Sequence, residues 1–404
     1  MKISVKDTRP PFAGLNGRFP EELFQNLPTP CYILDEPALQ RNGQILAGVA
    51  ERTGCKILLA QKAFSNYDLY PALTPYLAGT EASGLYEARL GAEEMPGKEV
   101  HVFCGAYRED EFSELLRYAD HIVFNSPRQL KKFGEKAKNA GKSIGLRINP
   151  EYSTQEGHAI YDPCAPGSRL GTTRSQWDRQ MTPQLVELLD GLHFHTLCEQ
   201  DADALELTLK AVEKLFGDAL PRMKWLNLGG GHHITRPGYD IPRLEQCLCT
   251  ARNKWSVQIY LEPGEACALN AGYLASHVLD VVTNGQTKIA ILDASAACHM
   301  PDVIEMPYRP PLYGAGEENE MPYTFRLGGP TCLAGDVIGD YSFHAPLQEK
   351  ELLLFGDMAI YTTCKNNTFN GMPLPAIFVL HADGSLQCLR KFEYADFKSR
   401  LGSL

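Results

Sequence analysis

The sequence predicts an α/β chain in which a parallel eight-stranded barrel precedes a β-rich C-terminal domain. Three observations support this fold class: eight short apolar segments recur along the chain, helix-like stretches separate them, and strand-like segments dominate after Gly272. Strands that alternate with helices pair in parallel, and eight such units make a (β/α)8 TIM barrel. A doubly wound open sheet is the alternative, because periodicity does not reveal whether a sheet closes.

The barrel strands are predicted at eight segments rich in apolar and β-branched residues. In chain order these segments are Lys56–Lys62, Gly79–Ser83, Val100–Cys104, His121–Asn125, Ile144–Asn149, Leu192–Thr196, Trp225–Gly229 and Ile259–Glu262. The intervening stretches are helix-like, as in Asp110–Tyr118 and Ala202–Phe216. The interval Glu151–Trp177, rich in Gly, Pro, Ser and Thr, predicts a loop over the mouth of the barrel.

The second domain is predicted from strand-like segments with few helical intervals. These segments are Tyr273–Val282, Lys288–Ala294, Thr324–Leu327, Glu351–Phe355 and Ala376–Leu380. The early segment Cys31–Leu34 precedes the barrel and is expected to join the sheet of the second domain. We therefore predict an N-terminal arm and strand over residues 1–35, a barrel over 36–271 and a β-rich domain over 272–404.

Composition and charge restrict the classes of function. The apolar fraction of 44% and the charged fraction of 22% are those of a soluble globular protein. Neither a bilayer-spanning apolar run nor a secretory signal is evident, so we expect a cytoplasmic protein without a membrane partner. The net charge of -10 argues against nucleic acid as a partner. The 12 cysteines form no CxxC pair, which favours reduced thiols and gives no reason to expect a metal.

Polar residues and glycines stand where the predicted barrel strands end. They are Lys62, Ser83, Asn125, Arg147, His195, the triplet Gly229, Gly230 and Gly231, and Glu262. Active sites of such barrels are built at the carboxyl ends of the strands. We therefore expect these residues to converge on one cavity.

Four of these positions have both a structural and a functional interpretation. Most lysines lie on the surface, but a lysine that emerges from a buried strand, as Lys62 does, is suited to Schiff-base chemistry. The triplet Gly229–Gly231 is either a tight turn or a loop whose backbone N–H groups approach a phosphate. Glu262 is either a helix-entry residue or the partner of a pyridinium nitrogen. His195 is either a satisfied core histidine or a ring stacked on a flat cofactor.

Five motifs in a fixed order resemble the alanine-racemase-fold group of PLP-dependent decarboxylases, which includes ornithine, diaminopimelate and carboxynorspermidine decarboxylases. The motifs are LAQKAF at Lys62, LHFHT at His195, LGGG at Gly229–Gly231, LEPGE at Glu262 and GPTC at Cys332. The resemblance extends from TPCYILD to TFNG and covers most of the chain. It implies an alanine-racemase-like barrel and β-rich domain, known as PLP fold type III. It also implies decarboxylation with pyridoxal 5'-phosphate as the cofactor.

The resemblance implies a role for each matched residue. Lys62 matches the Schiff-base lysine, His195 the ring-stacking histidine, and Glu262 the partner of the pyridine nitrogen. Residues matched to phosphate or to other cofactor contacts are Gly229, Gly230, Gly231, Tyr361, Arg147 and Cys198. Cys332 matches a cysteine that crosses a dimer interface and donates a proton. A homodimer with active sites at its interface is therefore implied.

Three further features resemble one branch of the group, the carboxynorspermidine/carboxyspermidine decarboxylases. They are EPGE where other members usually read EPGR, HTLCE around Cys198, and CHMPDVIEMPYRP over Cys298–Pro310. The implied substrate is a small cationic, carboxylated polyamine. The side chains expected to bind it are those of Glu265, His299, Asp302 and Asp336. For the two aspartates, loop capping is an equal interpretation.

Three alternative functions stay open at this point. The first is decarboxylation of diaminopimelate or another basic amino acid, against which the EPGE motif argues. The second is racemisation, which shares the barrel. The third is a non-catalytic PLP-binding regulatory homologue. Such homologues often lose the lysine or the cysteine, whereas this chain keeps Lys62 and Cys332.

Overall fold

The computed structural model of the chain describes residues 27–155 and 162–403. Its strands are β1 Cys31–Asp35, β2 Lys56–Ala60, β3 Gly79–Ala82, β4 Glu99–Phe103, β5 His121–Phe124, β6 Ser143–Arg147, β7 Gly191–His193, β8 Trp225–Asn227, β9 Gln258–Leu261, β10 Gly272–Asn284, β11 Thr287–Leu292, β12 Tyr323–Gly328, β13 Val337–Phe343, β14 Leu352–Gly356, β15 Ala376–Leu380 and β16 Leu386–Arg390.

Helices separate the first nine strands and become short and sparse afterwards. They are α1 Glu36–Thr53, α2 Tyr70–Leu73, α3 Leu85–Glu94, α4 Glu109–Tyr118, α5 Pro127–Asn139, α6 Arg174–Gln180, α7 Pro183–Leu188, α8 Ala202–Phe216, α9 Ile241–Trp255, α10 Glu265–Ala268, α11 Ala296–His299, α12 Asp302–Glu305 and α13 Tyr394–Lys398. Among the described residues, no helix is long and apolar enough to cross a membrane.

The chain divides into two compact units. Of the described residues, those between Gln40 and Cys267 form one unit, and Leu27–Leu39 together with Ala268–Ser403 form the other. In the first unit, strands β2 to β9 form a closed barrel with every neighbouring pair parallel. The predicted eight-stranded barrel is therefore confirmed, and the open doubly wound sheet is excluded.

Amphipathic helices cover the outside of the barrel strands, and α5 illustrates why they form. It begins after Ser126, whose Oγ accepts a hydrogen bond from the backbone N–H of Gln129 at 3.3 Å. Leu130, Phe133 and Ala137 recur at helical spacing and are buried. The helix therefore presents one apolar stripe to its neighbours and leaves its lysines outside.

The interior of the barrel is filled largely by one indole ring. Trp225 occupies the space left by Gly145 and Gly191, where an added Cβ would lie only 2.3 and 2.0 Å from ring atoms. Its Nε1 donates a hydrogen bond to Ser143 Oγ at 2.8 Å. Other members of this core are Leu58, Val123 and Tyr260. Because the middle of the barrel is packed, ligands have access only to its ends.

The other unit is built on a mixed sheet of eight strands. The strand order is β13-β12-β11-β10-β1-β15-β16, and β14 pairs with β10. Strand β1 pairs antiparallel with β10 and parallel with β15, so the early segment at Cys31 lies inside this sheet. A β-rich sheet in a unit of its own agrees with the predicted fold class. Strands β13 and β16 were not predicted.

Candidate active site

Lys62 follows the carboxyl end of β2 on a turn that its neighbours hold in place. Gln61 is fully buried, and its side chain donates to the backbone oxygen of Glu87 at 2.8 Å. The same side chain accepts a hydrogen bond from the Tyr70 hydroxyl at 3.0 Å. The backbone N–H of Ala63 bonds back to Ala60 and closes the turn. The half-buried Lys62 amine is therefore presented from a fixed backbone at the barrel mouth.

Glu262 is an ionised carboxylate held inside the same end of the barrel. Its Oε2 lies 3.1 Å from His193 Nε2, and its Oε1 accepts a hydrogen bond from Asn227 Nδ2 at 2.6 Å. Burial acts to raise the pKa of Glu262, but His193 and Asn227 outweigh it and lower that pKa to about 2. Burial lowers the pKa of His193, so this imidazole acts as a neutral donor to the carboxylate.

Glu81, in the middle of β3, is a second buried carboxyl group near Lys62. Burial, and then the charge of Glu262, raise its pKa to about 8, while the positive charge of Lys62 acts in the opposite direction. Its Oε2 is buried and has no hydrogen-bond partner among the described residues. Glu81 was not predicted from the sequence, although an acidic residue inside a buried strand was the available signal.

His195 stands between the strand end and the glycine triplet. The backbone N–H of Gly230 donates to its Nδ1 at 2.8 Å, so the hydrogen of the neutral ring resides on Nε2. Burial, and then the charge of Lys62, move the pKa of His195 well below its ordinary value. The imidazole therefore stays neutral and has a fixed tautomer.

The glycine triplet is required by close backbone packing. Gly229 and Gly231 have positive φ angles of 71° and 79°. A Cβ on Gly231 would lie 2.0 Å from the backbone oxygen of Leu197. The N–H of Gly229 bonds to Asn227 Oδ1 at 2.9 Å. The tight-turn interpretation thus accounts for the glycines, and phosphate binding by this loop stays a proposal.

Arg147 and Cys198 lie beside His195. The Arg147 guanidinium donates to the backbone oxygen of His195 at 3.1 Å and lies 4.5 Å above the Phe103 ring. Burial lowers the pKa of Arg147 to about 10. Burial, and then Glu265, raise the pKa of the Cys198 thiol to about 12, so this thiol is neutral.

The two remaining strand-end residues are Ser83 and Asn125. Ser83 is exposed, whereas the Asn125 side chain forms hydrogen bonds with the backbone of Arg169 and Gly171.

In the other unit, two predicted motifs are joined by a hydrogen bond. The backbone N–H of Cys332 in GGPTC donates to the side chain of Asn370 in TFNG at 2.8 Å. Cys332 is exposed. Tyr361 is held with a positive φ of 49°, which is unusual for a residue other than glycine.

Three residues expected to bind substrate instead form hydrogen bonds or ion pairs with other residues of the protein. The Asp336 carboxylate accepts hydrogen bonds from Ser295 and Thr331, at distances between 2.7 and 3.0 Å from their hydroxyl groups. His299 is fully buried, with Nδ1 accepting from Ser295 and Nε2 donating to the backbone oxygen of Pro373. Asp302 forms an ion pair with Lys365. Loop capping is therefore the better interpretation of Asp336, whereas Asp302 is the ion-pair partner of Lys365 and His299 is a core residue.

The barrel, the separate sheet and the family match identify a pyridoxal-dependent decarboxylase. The chain matches the family described as pyridoxal-dependent decarboxylase, C-terminal sheet domain, over residues 31–359, and it belongs to that family. It is 43% identical to carboxyaminopropylagmatine decarboxylase of Synechocystis sp., over 94% of this chain and 97% of the relative. It is 41% identical to carboxynorspermidine/carboxyspermidine decarboxylase of Campylobacter jejuni, over 93% of this chain and 99% of the relative.

A solved structure supports the same placement. Carboxynorspermidine decarboxylase from Campylobacter jejuni, complexed with norspermidine, superposes with a TM-score of 0.84 at 40% identity. The match covers 93% of this chain and the whole of that one. The chain is therefore an enzyme of the decarboxylase class.

The residues at the barrel mouth fit the cofactor that the family implies. Lys62 offers a primary amine, Glu262 an ionised carboxylate, and His195 a flat neutral ring. Two buried oxygens, Glu81 Oε2 and Thr196 Oγ1, have no hydrogen-bond partner within the described ranges. Buried polar atoms without partners are rare, and a bound polar ligand is one way to satisfy them.

Proposed function

We propose that the enzyme removes the carboxylate of carboxynorspermidine, of carboxyspermidine or of both, and releases the polyamine and CO2. The observation that carries the proposal is the ionised Glu262 carboxylate, held by His193 and Asn227 at the end of the barrel that carries Lys62. Support for the substrate comes from two relatives with this activity, at 41% and 37% identity over nearly their whole lengths.

The protein residues have distinct tasks in this proposal. Pyridoxal 5'-phosphate, when bound, accepts the electron pair that remains as CO2 departs. Lys62 attaches the cofactor through its amine, and Glu262 holds the proton on the ring nitrogen. His195, fixed by the Gly230 N–H, offers a preorganised neutral face to the ring. The other proposed cofactor contacts are Arg147, Cys198, Gly229, Gly231 and Tyr361.

The substrate is a polycation, and the protein carries a net charge of -10. Glu265, which stands where other members of the group have a phosphate-holding arginine, is the proposed partner of a substrate ammonium group. A charged hydrogen bond of this kind contributes roughly 1.5–3 kcal/mol. We do not propose His299, Asp302 or Asp336 as substrate contacts, because their polar atoms bond within the protein.

We further propose a homodimer in which Cys332 of the partner subunit donates the proton to the carbon that has lost CO2. This assignment rests on the family resemblance and on the exposure of Cys332. We propose the cytoplasm as the compartment, because all twelve cysteines are free thiols.

The decisive experiment measures CO2 release from a panel of substrates by the purified protein with added pyridoxal 5'-phosphate. The panel contains carboxynorspermidine, carboxyspermidine, diaminopimelate, ornithine and arginine. We expect kcat/KM for a carboxylated polyamine to exceed that for the other amino acids by at least about 100-fold. A preference for diaminopimelate or ornithine would contradict the proposal, and so would cofactor binding without CO2 release from any substrate.

A second candidate substrate is carboxyaminopropylagmatine. The specific observation in its favour is the 43% identity to a decarboxylase named for this substrate. It would present a guanidinium group where the polyamines present an ammonium group. Adding it to the same panel decides between the two candidates by kcat/KM.

A further inference from the structure

A second group of titratable side chains lies at the end of the barrel opposite Lys62. Glu99 is the first residue of β4, and His121 is the first residue of β5. His101 follows Glu99 by two residues, so both side chains point to the same face of β4. Lys62 and Glu262 follow strand ends, whereas these three residues stand near strand beginnings. The group is therefore separate from the candidate active site.

The three side chains are close together and incompletely satisfied. One donor atom from each residue lies within 4.8 Å of the others. His101 Nε2 is 3.0 Å from Glu99 Oε2, and the rings of His101 and His121 stack with centroids 3.9 Å apart. His101 is only 1% exposed, and Nδ1 of each histidine is buried without a hydrogen-bond partner among the described residues. His121 Nδ1 is therefore the nitrogen available to a ligand, whereas His101 faces Glu99 through Nε2.

We propose that Glu99, His101 and His121 bind one divalent transition-metal ion of the zinc class. Imidazole nitrogen and carboxylate oxygen are zinc donors at about 2.0–2.2 Å, so neighbouring donors around a tetrahedral ion lie about 3.3 Å apart. The Glu99–His101 pair already has nearly this spacing, at 3.0 Å. The rings of His101 and His121 lie within 11° of parallel, so the His121 ring must turn out of this stack to direct Nδ1 at the ion. Water takes the fourth position.

The role that follows is structural. The ion would join the beginnings of β4 and β5, at the end of the barrel that contributes stability and not catalysis. Lys56 is the competing cation, because its Nζ forms an ion pair with Glu99 and lies 3.5 Å from the Tyr260 hydroxyl. The positive charge of Lys56 lowers the affinity of the site for a metal. No sequence spacing marks this site, since its ligands come from two strands.

Equilibrium dialysis of the PLP-loaded protein against buffered Zn²⁺ tests the proposal. We expect one ion per chain and a higher unfolding temperature with zinc present. His121→Asn and Glu99→Gln should each weaken binding at least about tenfold. The matched control is His381→Asn, which removes a histidine paired with Glu36 elsewhere and should leave binding unchanged. Equal affinity of the wild type and His121→Asn would overturn the proposal.

Two further measurements test the site even if His121→Asn or Glu99→Gln prevents the protein from folding. Replacing Lys56 by Met should tighten zinc binding by roughly tenfold, because it removes the competing charge, and unchanged or weaker binding would count against the site. X-ray absorption of the Co²⁺-loaded wild type should show only nitrogen and oxygen neighbours. Sulfur neighbours would show that cysteines bind the metal, and the proposal would fail.

Discussion

Glu262 and Glu81 are two buried carboxyl groups at one end of the barrel that are held in opposite protonation states. Hydrogen bonds from His193 and Asn227 hold Glu262 ionised, whereas burial and the charge of Glu262 raise the pKa of Glu81 to about 8. One negative charge is thus kept beside Lys62, and Glu81 can donate a hydrogen bond at neutral pH.

Replacing Glu262 by Gln should lower kcat by roughly 100- to 1000-fold. The amide keeps the shape and one hydrogen bond but cannot hold a proton on the cofactor ring. Steady-state kinetics with the preferred carboxylated polyamine measure the effect. Glu94→Gln, the same substitution on the exposed end of α3, is the control and should be neutral. A loss of less than threefold in the Glu262 variant would contradict the assigned role.

The raised pKa of Glu81 predicts a pH dependence of stability. Between the ordinary value of 4.5 and about 8, the folded state binds more protons at this residue than the unfolded state does. The free energy of unfolding must therefore fall as pH rises through this window. Relative to Glu81→Gln, the wild type should lose stability from pH 5 to pH 8, as measured by urea unfolding of the cofactor-free proteins. If the free energies of unfolding of the two proteins changed with pH in parallel, the raised pKa of Glu81 would be refuted.

Site residues that follow a strand could be predicted from the sequence, whereas site residues within a strand could not. Lys62, His195 and Glu262 follow apolar runs, so the strand ends themselves indicated them. Glu81 and Asn227 lie within strands, where the alternation of faces decides which side chain points inward. That alternation becomes visible only when the barrel closes.

At the scale of the elements, buried strands were predicted well and exposed strands were not. Most residues of the eight barrel strands are buried, because both faces of these strands are covered. Strand β16 lies at the edge of the sheet and contains only exposed and half-buried residues, without regular alternation. Strand β13 carries Gly339 and Asp340, which are poor strand formers and obscure its pattern. Helix α6 starts within the predicted mouth loop at Arg174.

The packing of Trp225 predicts a large cost for a small substitution. In Gly191→Ala the new Cβ would lie 2.0 Å from the indole ring, so the ring or the strand must shift. We expect a loss of about 1–3 kcal/mol in the free energy of unfolding, measured with urea. Gly105→Ala is the control, since an added Cβ there meets nothing within 4 Å. Equal stability of the two variants would show that the ring does not constrain the barrel.

For the whole molecule, the family resemblance assigns roles to residues of two subunits in the proposed homodimer. Lys62 belongs to the barrel unit, whereas Cys332 and Tyr361 belong to the sheet unit. The backbone of Cys332 is fixed by Asn370, so the GGPTC and TFNG loops present the thiol together. The proposed homodimer is what would complete each active site.

Mixing two inactive variants tests this shared site. Lys62→Ala and Cys332→Ala should each be nearly inactive alone. If each site uses both subunits, half of the dimers formed after exchange are mixed and carry one intact site, so activity recovers to at most about 25% of wild type. Each variant mixed with itself is the control. No recovery, after subunit exchange has been verified, would contradict a site built across the interface.

We propose that Lys62 carries the cofactor at the mouth of the barrel, and chemical trapping identifies the lysine that does so. Borohydride reduction of the active protein, followed by peptide mass spectrometry, fixes the cofactor to the lysine that bears it. We expect one modified residue, Lys62, and a loss of activity in proportion to its labelling. Labelling of a different lysine, with Lys62 unmodified in the inactivated enzyme, would contradict it.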